Sequence, residues 1–475
     1  MSVETAQQRD VLVIGAGIGG LSASIRLTRL GYKVQVLEAR ASAGGLASGV
    51  EAGGFVLDAG PYIMLDKPGL DWAFQQLGLS TADLGLTLIE SVYHVLHEDG
   101  RTTAFDHSLN TTAARFEAVY AGSGAQYKAL VKHTFAIHQN LKPFTFKTSP
   151  GVWDVLRNGA LRHVPFLLSS LDRVLKQSGL PEPVRKGISI WTHVAGQPVA
   201  QAPSPMAFVP GLFHEVGAYY PKGGMQSVAT LLEKAARAAG VAIQYHTKVA
   251  RIRTAHGRVT GVETTTGEFI PADALVSNSN GIGTYTELLE NFKPAEKAKL
   301  RRLPLQSPGV CVYLAVQGRN PPYYIRFKLN GTGCTAFVQP GLLEPGLGQD
   351  GWYPARLIAP LDHATAAALG EAGQHTLMDQ LLAEPWWQEN IGAYRVLHRR
   401  TTFEWGREYT LYHDSMNPVM TARFMLKGRI AHRSPHVRGL YLAGSSTHPG
   451  QWVSFCAISG VLAADCLAQD FPAHA

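Results

Sequence analysis

Three glycines near the N-terminus, Gly15, Gly17 and Gly20, stand at the spacing that turns a strand directly into a helix. Gly15 allows the tight turn, Gly17 lets main chain approach a pyrophosphate, and Gly20 lets helix pack close on strand. The run Gly15, Ala16, Gly17, Ile18, Gly19, Gly20 follows an apolar stretch at residues 11–14. Eighteen residues beyond Gly20, a second apolar stretch ends at Glu38. A carboxylate there is placed to accept hydrogen bonds from a ribose. The positive N-terminal end of the helix suits a diphosphate. The chemistry is binding of the ADP half of a dinucleotide, with nicotinamide and flavin both open.

Positioning these residues requires strand, glycine turn, helix and second strand within about thirty residues, and the pattern supplies all four. Ala39, Arg40 and then Gly44, Gly45 and Leu46 come next, followed by a glycine-dense stretch at residues 53–61. Residues 85–210 are predicted to be largely helical. A sharp turn at 220–225 leads into a helix at 226–239, ended by Gly240. Strand-like runs follow at 242–245, 249–254 and 259–264, with the hairpin signal His256-Gly257 between the last two. Residues 274–278 close that unit. Residues 290–425 read as mixed strand and helix, with strands at 310–316, 335–339 and 355–359. The last block is a strand, a glycine turn at 444–450 and a helix starting near Phe455 or Ala457. The expected architecture is α/β: a Rossmann-like dinucleotide domain built from residues 1–85, 215–285 and 430–475. A second α+β domain, from residues 86–214 and 286–429, is inserted with a helical, membrane-facing part.

With 475 residues, 45% of them hydrophobic, the chain can bury large cores. Residues 1–9 are polar and unlike a secretory signal, and no run approaches the roughly 20 apolar residues of a spanning helix. Cys311, Cys334, Cys456 and Cys466 form neither a CxxC pair nor a zinc spacing, and the histidines show no ligand spacing. No metal site is expected, and a cytoplasmic protein is. The net charge is +7, and residues 121–190 carry ten Lys or Arg against Asp154, Asp172 and Glu182. No nucleic-acid-binding motif accompanies them. Apolar residues such as Trp153, Leu156, Val164, Phe166 and Leu168 interleave with the cations. That pattern suits a helix lying on an anionic membrane, or equally a basic amphipathic lid over the protein's own core.

The second and third glycine segments favour flavin. A glycine pair six residues after Glu38 lets main chain pass beside a ribityl–diphosphate chain, and the C-terminal glycine turn brings a second helix N-terminus to the same cofactor. With these pieces in order, the chain resembles the phytoene desaturase (carotenoid desaturase and isomerase) family within the flavin-dependent amine-oxidase-like superfamily. The resemblance rests on Gly15 to Gly20, Glu38-Ala39, Gly44-Gly45, residues 55–61, 220–225, 259–262 and 272–278, and 440–450, and so spans nearly the whole chain.

The resemblance implies FAD. Gly15, Gly17 and Gly20 would take the diphosphate, Glu38 the adenosine ribose, Gly45 and Leu46 the ribityl chain and Val249 the adenine. Gly444 and Ser445 would meet the diphosphate, and Trp452 and Val453 would border the isoalloxazine. This chain departs from many relatives at Ser445, where they carry an acid, and at Leu46, where they carry arginine. It departs again at residues 451–455, bulky here, which points to a different substrate pocket. His448 and Lys222 are the polar residues the resemblance sets near the flavin, the first as a proton mover or a turn residue, the second as a flavin neighbour or a loop cap. The implied reaction moves a hydride from a polyprenoid or carotenoid-like apolar substrate to the flavin, with oxygen or a membrane quinone as final acceptor. Isomerisation, ketolation or oxidation of another apolar substrate on the same scaffold stays open. So does a non-catalytic flavin- and lipid-binding protein.

Overall fold

The computed structural model describes residues 9–148, 152–194, 199–318, 323–331, 333–421, 424 and 429–473. Asp10–Ile14 is the middle strand of a five-stranded parallel sheet, ordered Leu440–Leu442, Ala274–Ser277, Asp10–Ile14, Lys33–Leu37, Ala242–Gln244. Its register sets Val13 against both Val36 and Val276. Unbroken apolar runs suit strands covered on both faces, and the two faces take alternate residues. Val11 and Val13 face the core that includes Leu21, Ile25, Val228 and Ile458. Leu12 and Ile14 face Ile252, Val259 and Val262. The first layer is made of helices Ile18–Arg29, Gln226–Ala238 and Val453–Asp470. The second is a three-stranded antiparallel sheet, Val249–Ala255, Arg258–Thr264 and Phe269–Pro271.

Helices Ile18–Arg29 and Val453–Asp470 approach so closely that a Cβ on Gly460 would stand 2.2 Å from the Gly19 carbonyl. The C-terminal helix begins at Val453, two residues before the earliest expected start, because the Trp452 carbonyl already accepts from Cys456 N at 2.8 Å. Among the described residues it is the helix long and apolar enough to cross a membrane, yet 67% of it is buried inside the protein.

A second large sheet has seven strands. Its order is Tyr394–Arg400, Val310–Gln317, Trp352–Ala359, Gly333–Val338, Ile325–Asn330, Ser91–Leu96, Thr102–Asp106. The last two strands correct the helical expectation for residues 85–210, since helix begins only at Leu109. Ser91–Leu96 is dense in β-branched and aromatic residues, which pack well on a pleated surface. Tyr93 stacks on Phe105 of the neighbouring strand at 4.3 Å.

Helices Ser123–Thr145, Glu182–Val194 and Phe208–Glu215, with shorter ones between, cover one end of this sheet. Within them residues 153–168 expose Trp153 (80%), Leu156, Leu161, Val164 and Leu168 (52%). Phe166 turns the other way and stacks on Phe208 at 5.4 Å.

Candidate cofactor and substrate site

A cavity of about 670 Å³ opens where the parallel strands end, at Ile14, Leu37, Asn278 and Gly444. Crevices beyond the carboxyl ends of parallel strands are where open α/β sheets bind ligands.

Its wall at this end is a cradle of glycines around Asn278. A Cβ on Gly17 would stand 2.7 Å from Asn278 Nδ2, and on Gly19 or Gly444 it would stand 2.6 or 2.4 Å from Asn278 Oδ1. Gly15 and Gly444 also hold φ of +90° and +92°, which side chains disfavour. Gly44 N donates to Ala16 O at 2.8 Å, stitching the second glycine segment to the first. Asn278 itself is fixed by its N–H donating to Ile14 O at 2.9 Å.

Glu38 sits at the edge of the cradle, 6% exposed. Ala16 N–H donates to its Oε2 at 2.6 Å and Arg40 N–H to its Oε1 at 2.9 Å. An ionised carboxylate has about four acceptor sites, so two remain for hydroxyl donors in the cavity. Arg40 is held in turn: its guanidinium donates to Ser48 Oγ at 3.0 Å and to Glu408 Oε1 at 3.2 Å, and lies 4.2 Å over the Tyr409 ring. Glu408 also accepts from Arg400, which ties this edge to the seven-stranded sheet.

Of the residues expected at the cofactor, Gly15, Gly17, Ile18, Gly19, Glu38, Ala39, Arg40, Gly44, Gly45 and Leu46 line this one cavity. So do Val249, Gly444, Ser445, Trp452 and Val453. Ala16 and Gly20 stand behind it. Ala16 gives its backbone to Glu38 and Gly44, and a Cβ on Gly20 would stand 2.0 Å from Gly15 O.

His448 and Lys222 lie outside the cavity wall. His448 Nε2 donates to the Phe144 carbonyl at 2.9 Å, and burial lowers its pKa. Lys222 is exposed. Its turn closes on Asp58 instead: Tyr220 OH donates to Asp58 Oδ2 at 2.8 Å and Met225 N–H to Oδ1 at 2.7 Å. With both ends of the turn directed inward, its tip points to solvent.

Sequence reasoning gave no role to Arg356, which is 2% exposed and lines the cavity from the seven-stranded sheet. Its Nη1 donates to the carbonyls of Asp58, Ala59 and Gly60 at 2.7, 2.9 and 3.2 Å, fixing the glycine-dense loop as cavity wall. Burial pulls its pKa down, but Cys311 and Asp58 raise it overall, so the guanidinium stays charged. Burial pushes the Asp58 carboxyl up, against the pull of Arg356. Helix Thr402–Tyr409, also unassigned by the sequence, contributes Trp405 and Tyr409.

The same cavity has a large apolar share of wall, to which Trp191, Met206, Val209, Met416, Met420 and Trp452 contribute. Trp452 stacks on Phe455 at 4.8 Å. Gln451, also in the wall, accepts from Asn417 Nδ2 at 3.1 Å. Among the described residues one trio of metal-ligating type, Glu371, His375 and Glu404, has its ligand atoms within 4.8 Å. Glu371 is bound by Arg407 and Glu404 closes a capping box with Thr401, so the trio belongs to surface ion pairing and helix capping.

A glycine cradle joined to an apolar chamber is the site of a flavin-dependent oxidoreductase with a split dinucleotide-binding unit. The chain belongs to the flavin containing amine oxidoreductase family, whose model matches residues 18–321. It is 25% identical to the 4,4'-diapolycopene oxygenase of Methylomonas sp over 491 residues, covering 97% of this chain and 98% of that one. It is 30% identical to the zeta-carotene-forming phytoene desaturase of Myxococcus xanthus over 326 residues, covering 68% of this chain and 62% of that one. Its fold matches the crystal structure of an oxidoreductase from Methanosarcina mazei with a TM-score of 0.67 at 18% identity, over 95% of this chain and 98% of that one. The protein is an FAD-dependent oxidoreductase.

Proposed function

We propose that the protein oxidises an apolar polyprenoid, of carotenoid-precursor type, by desaturation. FAD supplies the hydride acceptor. Gly15, Gly17, Gly44, Gly444 and Ser445 would hold its diphosphate, Glu38 its adenosine ribose, and Trp452 and Val453 would border its ring. In this reading the segments carrying the parallel sheet are the cofactor unit and the two inserted segments the substrate unit.

The observation that carries the reading is the continuity of the glycine cradle with a chamber walled by Trp191, Met206, Val209 and Met420. Among the described residues no histidine lines that cavity. A hydrocarbon needs such a chamber and little polar recognition, because its binding comes from burial of apolar area.

The exposed apolar residues 153–168 support substrate delivery from a membrane surface. Phe166 of this segment stacks on Phe208, the neighbour of the chamber residue Val209. The acids nearby are already paired, Asp154 with Lys147, Asp172 with Lys176 and Glu182 with Lys186, which leaves a net positive face toward anionic lipid. A cytoplasmic membrane face, with a quinone or oxygen taking the electrons, fits this placement.

Expression in a host that makes phytoene and related polyenes, followed by pigment analysis, tests the reading. New, longer-wavelength polyenes are expected. An unchanged pigment profile, together with FAD that no C30 or C40 polyene bleaches anaerobically, overturns it.

A further inference from the structure

Removing a hydride from a hydrocarbon leaves a carbon centre whose neighbouring C–H must lose a proton, and a chamber built for this step needs an acceptor within reach. Among the described residues the carboxylates lining the cavity are Glu38, fixed by two backbone N–H groups, and Glu287, which is exposed. The lining thiols are held neutral, since burial pushes Cys311 up and Cys456 up to about 12. One hydroxyl in the wall stands differently. Ser454 lies in the first turn of helix Val453–Asp470, beside Trp452 and Val453, and donates to Asp66 Oδ2 at 3.2 Å. Asp66 is 6% exposed and directly follows the chamber residue Leu65.

We propose that Ser454 and Asp66 form the proton-accepting pair of the apolar chamber. The inference rests on the desaturase reading above. With FAD bound to take the hydride and its two electrons, the neighbouring C–H bond would break, its proton going to Ser454 Oγ and its electron pair to the new C=C bond. The proton already on Ser454 moves along the existing hydrogen bond to Asp66 Oδ2, leaving a neutral carboxyl that later returns the proton to solvent. A C–H beside an electron-deficient carbon is strongly acidic, so a carboxylate is base enough. The polarity of the hydrogen bond suits the relay, because a hydroxyl that donates to Asp66 keeps its lone pairs free for the chamber.

Asp66 has an architectural duty as well. It caps helix Lys67–Leu77 by accepting from Gly69 N–H at 3.1 Å through Oδ1, which leaves Oδ2 for Ser454. Burial raises its pKa, Asp71 of the same helix adds to the rise, and Lys142 from helix Ser123–Thr145 opposes it.

The double duty makes Asp66→Asn the informative variant. Asparagine caps a helix as well as aspartate does, but its Nδ2 would donate to Ser454 and occupy the lone pair that the relay needs. The test is anaerobic bleaching of bound FAD by a C30 or C40 polyene in detergent. Asp66→Asn and Ser454→Ala are expected to slow bleaching about 100-fold with FAD content intact, the usual range for loss of a general base. Ser454→Thr, which keeps the hydroxyl, is expected to retain the rate. The wild-type rate is expected to fall as acid protonates Asp66, and the residual Asp66→Asn rate to lack that limb. Asp66→Asn bleaching at the wild-type rate overturns the proposal. If wild-type FAD is bleached by no polyene, the desaturase reading fails. The pair is then judged without substrate, by an acid titration of Trp452 emission, taken as the difference between the protein and its Trp452→Phe variant, since the chain has eight tryptophans. An acid limb present there but absent from Asp66→Asn supports it, and no such limb overturns it.

Discussion

The carboxylate of Glu38 and the amide of Ala16 are 2.6 Å apart, joining the end of the second strand to the glycine turn that follows the first. Arg40 N–H holds the other carboxylate oxygen at 2.9 Å. The acid that would receive a ribose is therefore oriented by main chain, and its position is as fixed as the turn itself. Orientation of this kind lowers the ordering cost of binding.

Glu38→Gln follows directly. A glutamine can accept only through one oxygen, so its NH2 would face either the Ala16 or the Arg40 N–H. Exchanging a charged acceptor of the ribose hydroxyls for a neutral one costs about 1–1.5 kcal/mol of binding, while the unpaired N–H lowers stability with or without the cofactor. Fluorescence titration of the apoprotein with FAD should show affinity weakened roughly 10-fold. Unchanged affinity would mean that the carboxylate plays no part in holding the cofactor.

Gly444→Ala attacks the cradle from its other side. The added Cβ would stand 2.4 Å from Asn278 Oδ1 at a φ of +92°, so both contact and backbone oppose it. The carboxamide of Asn278 must shift, and with it the surface shared by Gly17 and Gly19. Purified variant should carry clearly less FAD per chain, read from visible absorbance after gel filtration. Full occupancy would show that the cradle gives way without loss.

How much of this site was legible in sequence depends on how local each part is. The Gly15–Gly20 turn and Glu38 announce themselves through spacing within thirty residues, and Gly44-Gly45 follows soon after. Asn278 carries no such signal. Its place among Gly17, Gly19 and Gly444 comes from parallel pairing of Asp10–Ile14 with Ala274–Ser277, and of that strand with Leu440–Leu442, across hundreds of residues. Arg356 is likewise defined only by its reach to Asp58, Ala59 and Gly60. Neighbouring motif residues are what set His448 and Lys222 near the flavin in the family resemblance. The sequence position of a turn does not say which way its side chains point, and these two lie outside the cavity wall. The strands Ser91–Leu96 and Thr102–Asp106 are hard to read because both are short: Ser91–Leu96 finds its second partner, Ile325–Asn330, far along the chain, and Thr102–Asp106 is the sheet's edge, paired only within the hairpin.

His214 should set part of the pH dependence of stability. It is 8% exposed, its Nδ1 donates to His107 O at 2.8 Å, and its Nε2 accepts from Tyr127 OH at 2.8 Å. Burial lowers its pKa from 6.5 to about 4, against a smaller opposing effect of the His107 hydrogen bond. Between those values the unfolded chain binds the proton and the folded chain does not. Stability therefore rises with pH through this window and is lost on acidification. From about pH 7.5 to about pH 5 this one group accounts for roughly 2 kcal/mol. Buried Asp58 and Asp66, whose pKa values are raised, act with the opposite sign above pH 3.8. The comparison that isolates His214 is thus the difference between wild type and His214→Gln, by denaturant unfolding at the two pH values. The variant should lose less stability on acidification, and equal slopes would exclude His214 as a contributor.

Residues 153–168 should decide whether the protein binds lipid. Trp153 and Leu168 are exposed to 80% and 52%, so neither contributes much to folding. Inserted into a membrane interface, each would add about 1.5–3 kcal/mol by burial of apolar area. The surrounding net positive charge adds attraction to anionic headgroups that salt screens within about 8–10 Å. Wild-type protein is expected to float with vesicles containing anionic lipid at low salt and to release partly as salt rises. The double variant Trp153→Ser, Leu168→Ser should bind at least about tenfold more weakly per residue removed, with unchanged thermal unfolding and FAD content. A variant that lowers the charge, Arg157→Gln with Arg162→Gln, should keep its apolar binding but lose part of its salt sensitivity. Separating the two effects distinguishes insertion from mere adsorption. If the wild type stays in solution with such vesicles at low salt, the exposed apolar face is not a lipid-binding surface, and the substrate must reach the chamber by another route.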